Sequence, residues 1–89
     1  MDAEVKAMTD ALYAVGHGML EQERLRDAAD VFRAMVVLFP GDERAWLGLG
    51  TTHERLGEEQ LAIELFSLGV VALPAAVRRG QVAMRARRT

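Results

Sequence analysis

Apolar residues near the start of the chain recur at steps of three and four, through Val5, Met8, Leu12 and Val15, the spacing that lines one face of an α-helix. This stripe predicts a first helix through Leu12, Val15, Gly16, Met19 and Leu20. Met1 to Met8 either extend that helix or fray from it. If the helix starts later, Thr9 or Asp10 can cap it with a side-chain oxygen that accepts from the first-turn amides. A second helix is predicted over Leu25, Ala28, Ala29, Val31, Phe32, Met35, Val36, Leu38 and Phe39, apolar on nearly all sides and therefore buried on more than one. Pro40-Gly41 ends it. Asp42 is placed to cap a third helix carrying Trp46, Leu49 and Gly50, with Glu43 adding negative charge at its positive end. That helix stops at Gly57. A fourth runs from about Glu58 to Leu73 and repeats the burial pattern with Leu61, Ala62, Leu65, Phe66, Leu68 and Val70.

The pattern repeats. Gly16, Ala28, Phe32 and Pro40 stand 34 positions before Gly50, Ala62, Phe66 and Pro74, and four coincidences at one offset establish a duplication. Glycine inside a helix costs about 1 kcal/mol relative to alanine, so Gly16 implies a close approach: the second helix packs on its backbone, with Ala28 as small partner and Phe32 filling the space beyond. The first turn, Gln22-Glu23-Arg24, lacks the glycine found at Gly57. Either its geometry differs or the first repeat is looser, because a non-glycine residue in the left-handed cap conformation costs about 1–2 kcal/mol.

Length and charge refine this picture. The chain has 89 residues, so it is one domain that buries only about 60–65% of its unfolded surface. Its 51% apolar and 27% charged composition is that of a globular chain rather than a disordered one. It has no cysteine, which removes disulfides and thiolate metal sites. Asp2 and Glu4 occupy the place where an export signal would carry positive charge, and no apolar run is long enough for a membrane span. A soluble, intracellular protein is expected. Five of the 11 basic residues (Arg78, Arg79, Arg85, Arg87 and Arg88) lie between Ala75 and Thr89 among no acids, so the formal charge divides into −7 before and +5 after. This basic stretch reads as a solvated face or an intersubunit contact, with no nucleic-acid partner expected.

Trp46-x2-Leu49-Gly50, Ala62-x3-Phe66 and Pro74 match the tetratricopeptide (TPR) signature, a helix–turn–helix of about 34 residues. The fold expected is all-α, an α-α superhelix of about five antiparallel helices in one domain. It divides into repeat 1 over about 9–42, repeat 2 over about 43–76, and a C-terminal capping helix over about 75–88. An array needs such a cap because each repeat buries its face only on a neighbour. The phrases Leu12-Tyr13-Ala14-Val15-Gly16, Leu38-Phe39-Pro40-Gly41-Asp42 and Ala45-Trp46-Leu47-Gly48-Leu49-Gly50 resemble the TPR chaperones of bacterial type III secretion systems. Within these they are most similar to the class II translocator chaperones, the LcrH/SycD/IpgC type. That resemblance implies a cytoplasmic bacterial protein that masks an apolar segment of a secreted client, a translocator or needle subunit, in a concave groove before export. Members carry three repeats and an N-terminal helical region, where this chain has two and a half. The alternative is a structural adaptor that bridges partners without releasing them.

Carried over by position, the groove is lined by Tyr13 and His17 in the first repeat and by Leu47 and Thr51 in the second. Leu20, Arg44, Glu54 and Arg55 lie along the same face one turn away. An aromatic ring, a leucine and a few polar groups suit an extended apolar peptide. The lysine–asparagine clamp with which some TPR domains hold a C-terminal carboxylate is absent, since Tyr13 and His17 stand where it would begin. His17 and His53 are the only histidines, too few donors for a metal site, and His53 is expected to pack. Ser67 has no histidine and acid brought to it, and no glycines form a phosphate loop. Neither enzyme activity nor a cofactor is expected. Two and a half repeats leave terminal faces uncovered, so self-association or a stable complex with a protein partner is expected through Val5, Met8, Val36, Val37 and Phe39.

Overall fold

A computed structural model describes residues 2–72 as four helices: α1 (Ala3–Glu21), α2 (Leu25–Leu38), α3 (Glu43–Arg55) and α4 (Glu59–Ala72). No strand occurs among the described residues. Each helix packs on the next, and α1 also reaches α3, so two hairpins stack with the odd-numbered helices side by side. The capping helix expected over 75–88 lies outside the described residues, as do Leu73 and Pro74.

Ala3 to Met8 extend the first helix. Asp2 caps it, its side chain accepting from the Val5 amide at 2.9 Å. Thr9 and Asp10 are therefore interior positions rather than caps. Thr9 is buried, and its hydroxyl donates to the Lys6 carbonyl at 3.0 Å, the inward route by which a helical threonine satisfies itself. Asp42 does cap α3, accepting from the Arg44 amide at 3.0 Å. Pro40 also anchors the segment between hairpins, since its carbonyl accepts from Trp46 Nε1 at 2.7 Å.

The two turns have one geometry. Glu23 adopts φ 60° where Gly57, 34 residues later, adopts 84°. In the first, the amides of Gln22, Glu23 and Arg24 donate to the carbonyls of Gly18, Leu20 and Met19; in the second, those of Leu56, Gly57 and Glu58 donate to Thr52, Glu54 and His53. These are matching Schellman caps. A different first-turn geometry is thereby excluded.

Phe32 is the centre of the core. It is fully buried among Leu20, Ala28, Ala29, Met35, Ala45 and Leu49. A Cβ added at Gly16 would lie 2.7 Å from its ring and one added at Gly48 2.4 Å from it. The ring thus occupies room left by two glycines, one on the helix before it and one on the helix after. Phe66 meets Gly50 in the same way, and Trp46 lies against Gly69. Three residues that the sequence places in the burial pattern of α2 and α4, Leu38, Leu61 and Leu68, are corrected to exposed positions. Leu38 is 62% exposed, and on α4 Leu61 and Leu68 are also exposed, because among the described residues no element lies on that side of either outer helix. Among the residues expected to remain as apolar surface, Met8 and Val37 are exposed, while Val5, Val36 and Phe39 are half-buried.

Candidate functional site

The inner helices α1 and α3 form the face on which the sequence places a groove. Along α3, Arg44, Leu47, Thr51 and Glu54 follow one another at helical steps of three, four and three, which puts them on a single stripe. Arg44, Leu47 and Thr51 are half-buried; Glu54 and Arg55 are exposed. On α1, Tyr13 is half-buried and His17 exposed.

The seam between the stripes is held by Arg44. Its guanidinium meets Asp10 of α1 at 3.0 Å and its own cap residue Asp42 at 3.0 Å. It also approaches the Thr9 hydroxyl at 3.4 Å and lies 5.1 Å from the centre of the Tyr13 ring, within cation–π range. The hydrogen bonds that Arg44 donates to Asp42 and, to a smaller extent, to Asp10 outweigh burial and raise the guanidinium's affinity for its proton. Asp10 is held below the ordinary carboxylate range first by its hydrogen bond with Lys6 and then by that with Arg44. His17 also neighbours Tyr13, with ring centres 5.7 Å apart, and Tyr13 leans on Phe32 at 6.2 Å. His17 Nδ1 lies 2.8 Å from Glu21. Arg55 pairs with Glu23 of the first turn.

Of the eight residues expected in the groove, the structure brings Tyr13, His17 and Arg44 into one cluster and aligns Leu47, Thr51 and Glu54 beside it. Arg55 is spent on an ion pair between the hairpins. Leu20 is a core residue, 7% exposed, and offers the face little. Thr9, Asp10, Asp42 and Glu23 were missed as parts of the site. One signal pointed to Asp10: it precedes Arg44 by one repeat length with opposite charge, as expected when equivalent positions of neighbouring units face each other.

Other candidate chemistry is accounted for by packing. Ser67 donates its hydroxyl to the Ile63 carbonyl at 2.9 Å. His53 is 4% exposed, and its Nδ1 has no hydrogen-bond partner, the Glu58 carboxylate standing 3.6 Å away. No group of three or more candidate metal ligands occurs among the described residues, and none of their helices is long and apolar enough to cross a membrane.

Comparison with known proteins agrees with this architecture. Residues 9–52 match the tetratricopeptide repeat family. Low calcium response locus protein H of Yersinia pestis is 34% identical over 62 residues, which is 70% of this chain and 37% of that protein. The protein of the same name from Yersinia pseudotuberculosis serotype I gives the same values, so the match spans well under half of these relatives. The cell division cycle protein 27 homolog of Caenorhabditis elegans is 42% identical over 48 residues, covering 54% of this chain and 6% of its own length. No solved structure matches the chain. With the helix pairing and the 34-residue register in agreement with that match, the described residues are all-α and residues 9–52 form a unit of tetratricopeptide-repeat type.

Proposed function

We propose that the chain is a protein-binding chaperone of a bacterial type III secretion system. In this reading it acts in the cytoplasm and holds an apolar segment of a translocator or needle subunit on the α1/α3 face until export. The observation that carries the reading is the half-buried Tyr13 ring, in contact range of both Arg44 and His17 beside the Leu47–Thr51 stripe. An aromatic side chain held rigid at low entropic cost is a suitable anchor for a peptide. The resemblance of the sequence phrases to translocator chaperones and the similarity to low calcium response locus protein H support the choice of client class.

The test is affinity capture from the native cell with wild-type chain, Leu47→Glu and Tyr13→Ala, each checked for helicity by circular dichroism. The client is expected to be lost from both variants at retained helicity. Undiminished capture by both would overturn the groove. A client that stays bound while the secretion apparatus is active would favour the adaptor over the chaperone. The exposed Met8 and Val15 on α1 and Val37 and Leu38 on α2 support association with a second copy or a partner subunit. A monomer at micromolar concentration by sedimentation, with no partner co-purifying, would remove that part.

A further inference from the structure

The charges of the α1/α3 face are unequally committed. Each cation there has a carboxylate: Lys6 meets Asp10 at 2.7 Å, Arg44 is shared by Asp10 and Asp42, and Arg55 pairs with Glu23. Glu54 stands apart. It is exposed, shares the Leu47–Thr51 stripe, and has no ionic partner among the described residues.

Its position makes it more informative. Glu54 lies in the last turn of α3, where the helix dipole is negative and an acid is unfavourable. The repeat does not require it, because the equivalent residue of the first hairpin is Leu20, a core side chain. An acid that opposes the dipole and has no ionic partner among the described residues adds nothing to their folding that the contacts show. The same two features, a free carboxylate and the negative end of a helix, both attract a cation.

On the footing of the groove reading above, we propose that the segment held on this face carries a lysine or arginine that seats beside Glu54, next to the apolar residue resting on Leu47. The face would thereby select extended, apolar segments with one basic residue and reject those with an acid at that place. An acidic segment would find no uncommitted cation here, since displacing Arg44 or Arg55 breaks a pair that joins the two hairpins.

Short end-blocked peptides of leucine- and proline-containing sequence, in matched sets differing only in a central Lys, Gln or Glu, test this by fluorescence anisotropy with the full chain. The Lys set should bind about twofold to fivefold more tightly than the Gln set, the range of an exposed charge pair, and the Glu set least. The preference should vanish near 1 M salt, where screening acts over about 3 Å. Glu54→Lys should reverse the order and Glu54→Gln abolish it; the site is exposed, so the fold is kept in both variants. Equal binding of the three sets to wild type, or an order unchanged by Glu54→Lys, overturns the inference. If the Lys set binds only a variant with the five tail arginines changed to Gln, the cation beside Glu54 is the chain's own and the inference falls. Loss of every set from Leu47→Glu, with the order untouched by Glu54 variants, sinks this inference and leaves the groove standing. Failure of all sets to bind wild type sinks the groove itself.

Discussion

The turns closing the two hairpins make the same three hydrogen bonds and differ at one side chain. The second uses Gly57, for which a positive φ carries no steric penalty; the first forces Glu23 into the left-handed region, at about 1–2 kcal/mol. The first turn is therefore imposed by the packing of α1 on α2 rather than chosen by its own residues. What Glu23 gains is reach: its carboxylate meets Arg55 at the end of α3, a contact glycine cannot make. The second hairpin has an easier turn, and the first a turn that also ties it to its neighbour.

The comparison extends to the two phenylalanines. Phe32 is fully buried and touches a glycine on each side, whereas Phe66 is half-buried. Phe32→Ala should cost about 3–5 kcal/mol and Phe66→Ala distinctly less, by urea unfolding monitored by circular dichroism. Equal losses would mean that the hairpins contribute alike and that the ring between them is nothing special. Next in size, Gly57→Ala should destabilise by about 1–2 kcal/mol, because alanine resists the positive φ. Glu23→Gly should fall within about 1 kcal/mol of wild type, relief of strain being offset by a freer unfolded chain and a lost ion pair. In an Arg55→Ala background the same change should become more favourable by the energy of the pair. If it does not, Glu23 stays for another reason.

The smallest effect concerns Asp10 and Arg44, equivalent positions on the two inner helices. Asp10 is held below its ordinary value of 3.8, so its pairing stabilises the fold above that pH and is lost as pH falls through the lower folded value. The melting temperature of Asp10→Asn should lie slightly below wild type near neutral pH, and the gap should close as pH falls through the lowered folded value. A gap independent of pH would show that Asp10 acts by packing or helix propensity instead of charge.

Much of this was readable beforehand for a physical reason. Helix spacing and the 34-residue offset depend on local periodicity, and Gly16 with Phe32 announces close approach because a missing Cβ on one helix leaves room for a large ring on the next. The Asp42 cap followed from side-chain chemistry. What local pattern does not carry is which residues meet across units. Gly48 was seen as part of a motif, yet its role as the second wall around Phe32 depends on how α3 lies against α2. The Asp10–Arg44 seam depends on how α3 lies against α1. Leu20 was assigned to the groove by position in the unit, although it turns into the core, and Leu61 and Leu68 were assigned to the core although nothing described covers them. At the site, residue types and stripe were legible; the partners that immobilise Arg44 and leave Glu54 alone were not.

A ring seated in gaps from two hairpins makes each hairpin incomplete without the other. If the second hairpin melts, Phe32 loses its wall at Gly48, and if the first melts, the gap at Gly48 is left empty, so nearest-neighbour coupling should dominate the intrinsic stability of either unit. Slow amide exchange in α3 should then report the integrity of α1 as faithfully as its own, and the two hairpins should open together in one cooperative step instead of peeling apart in turn.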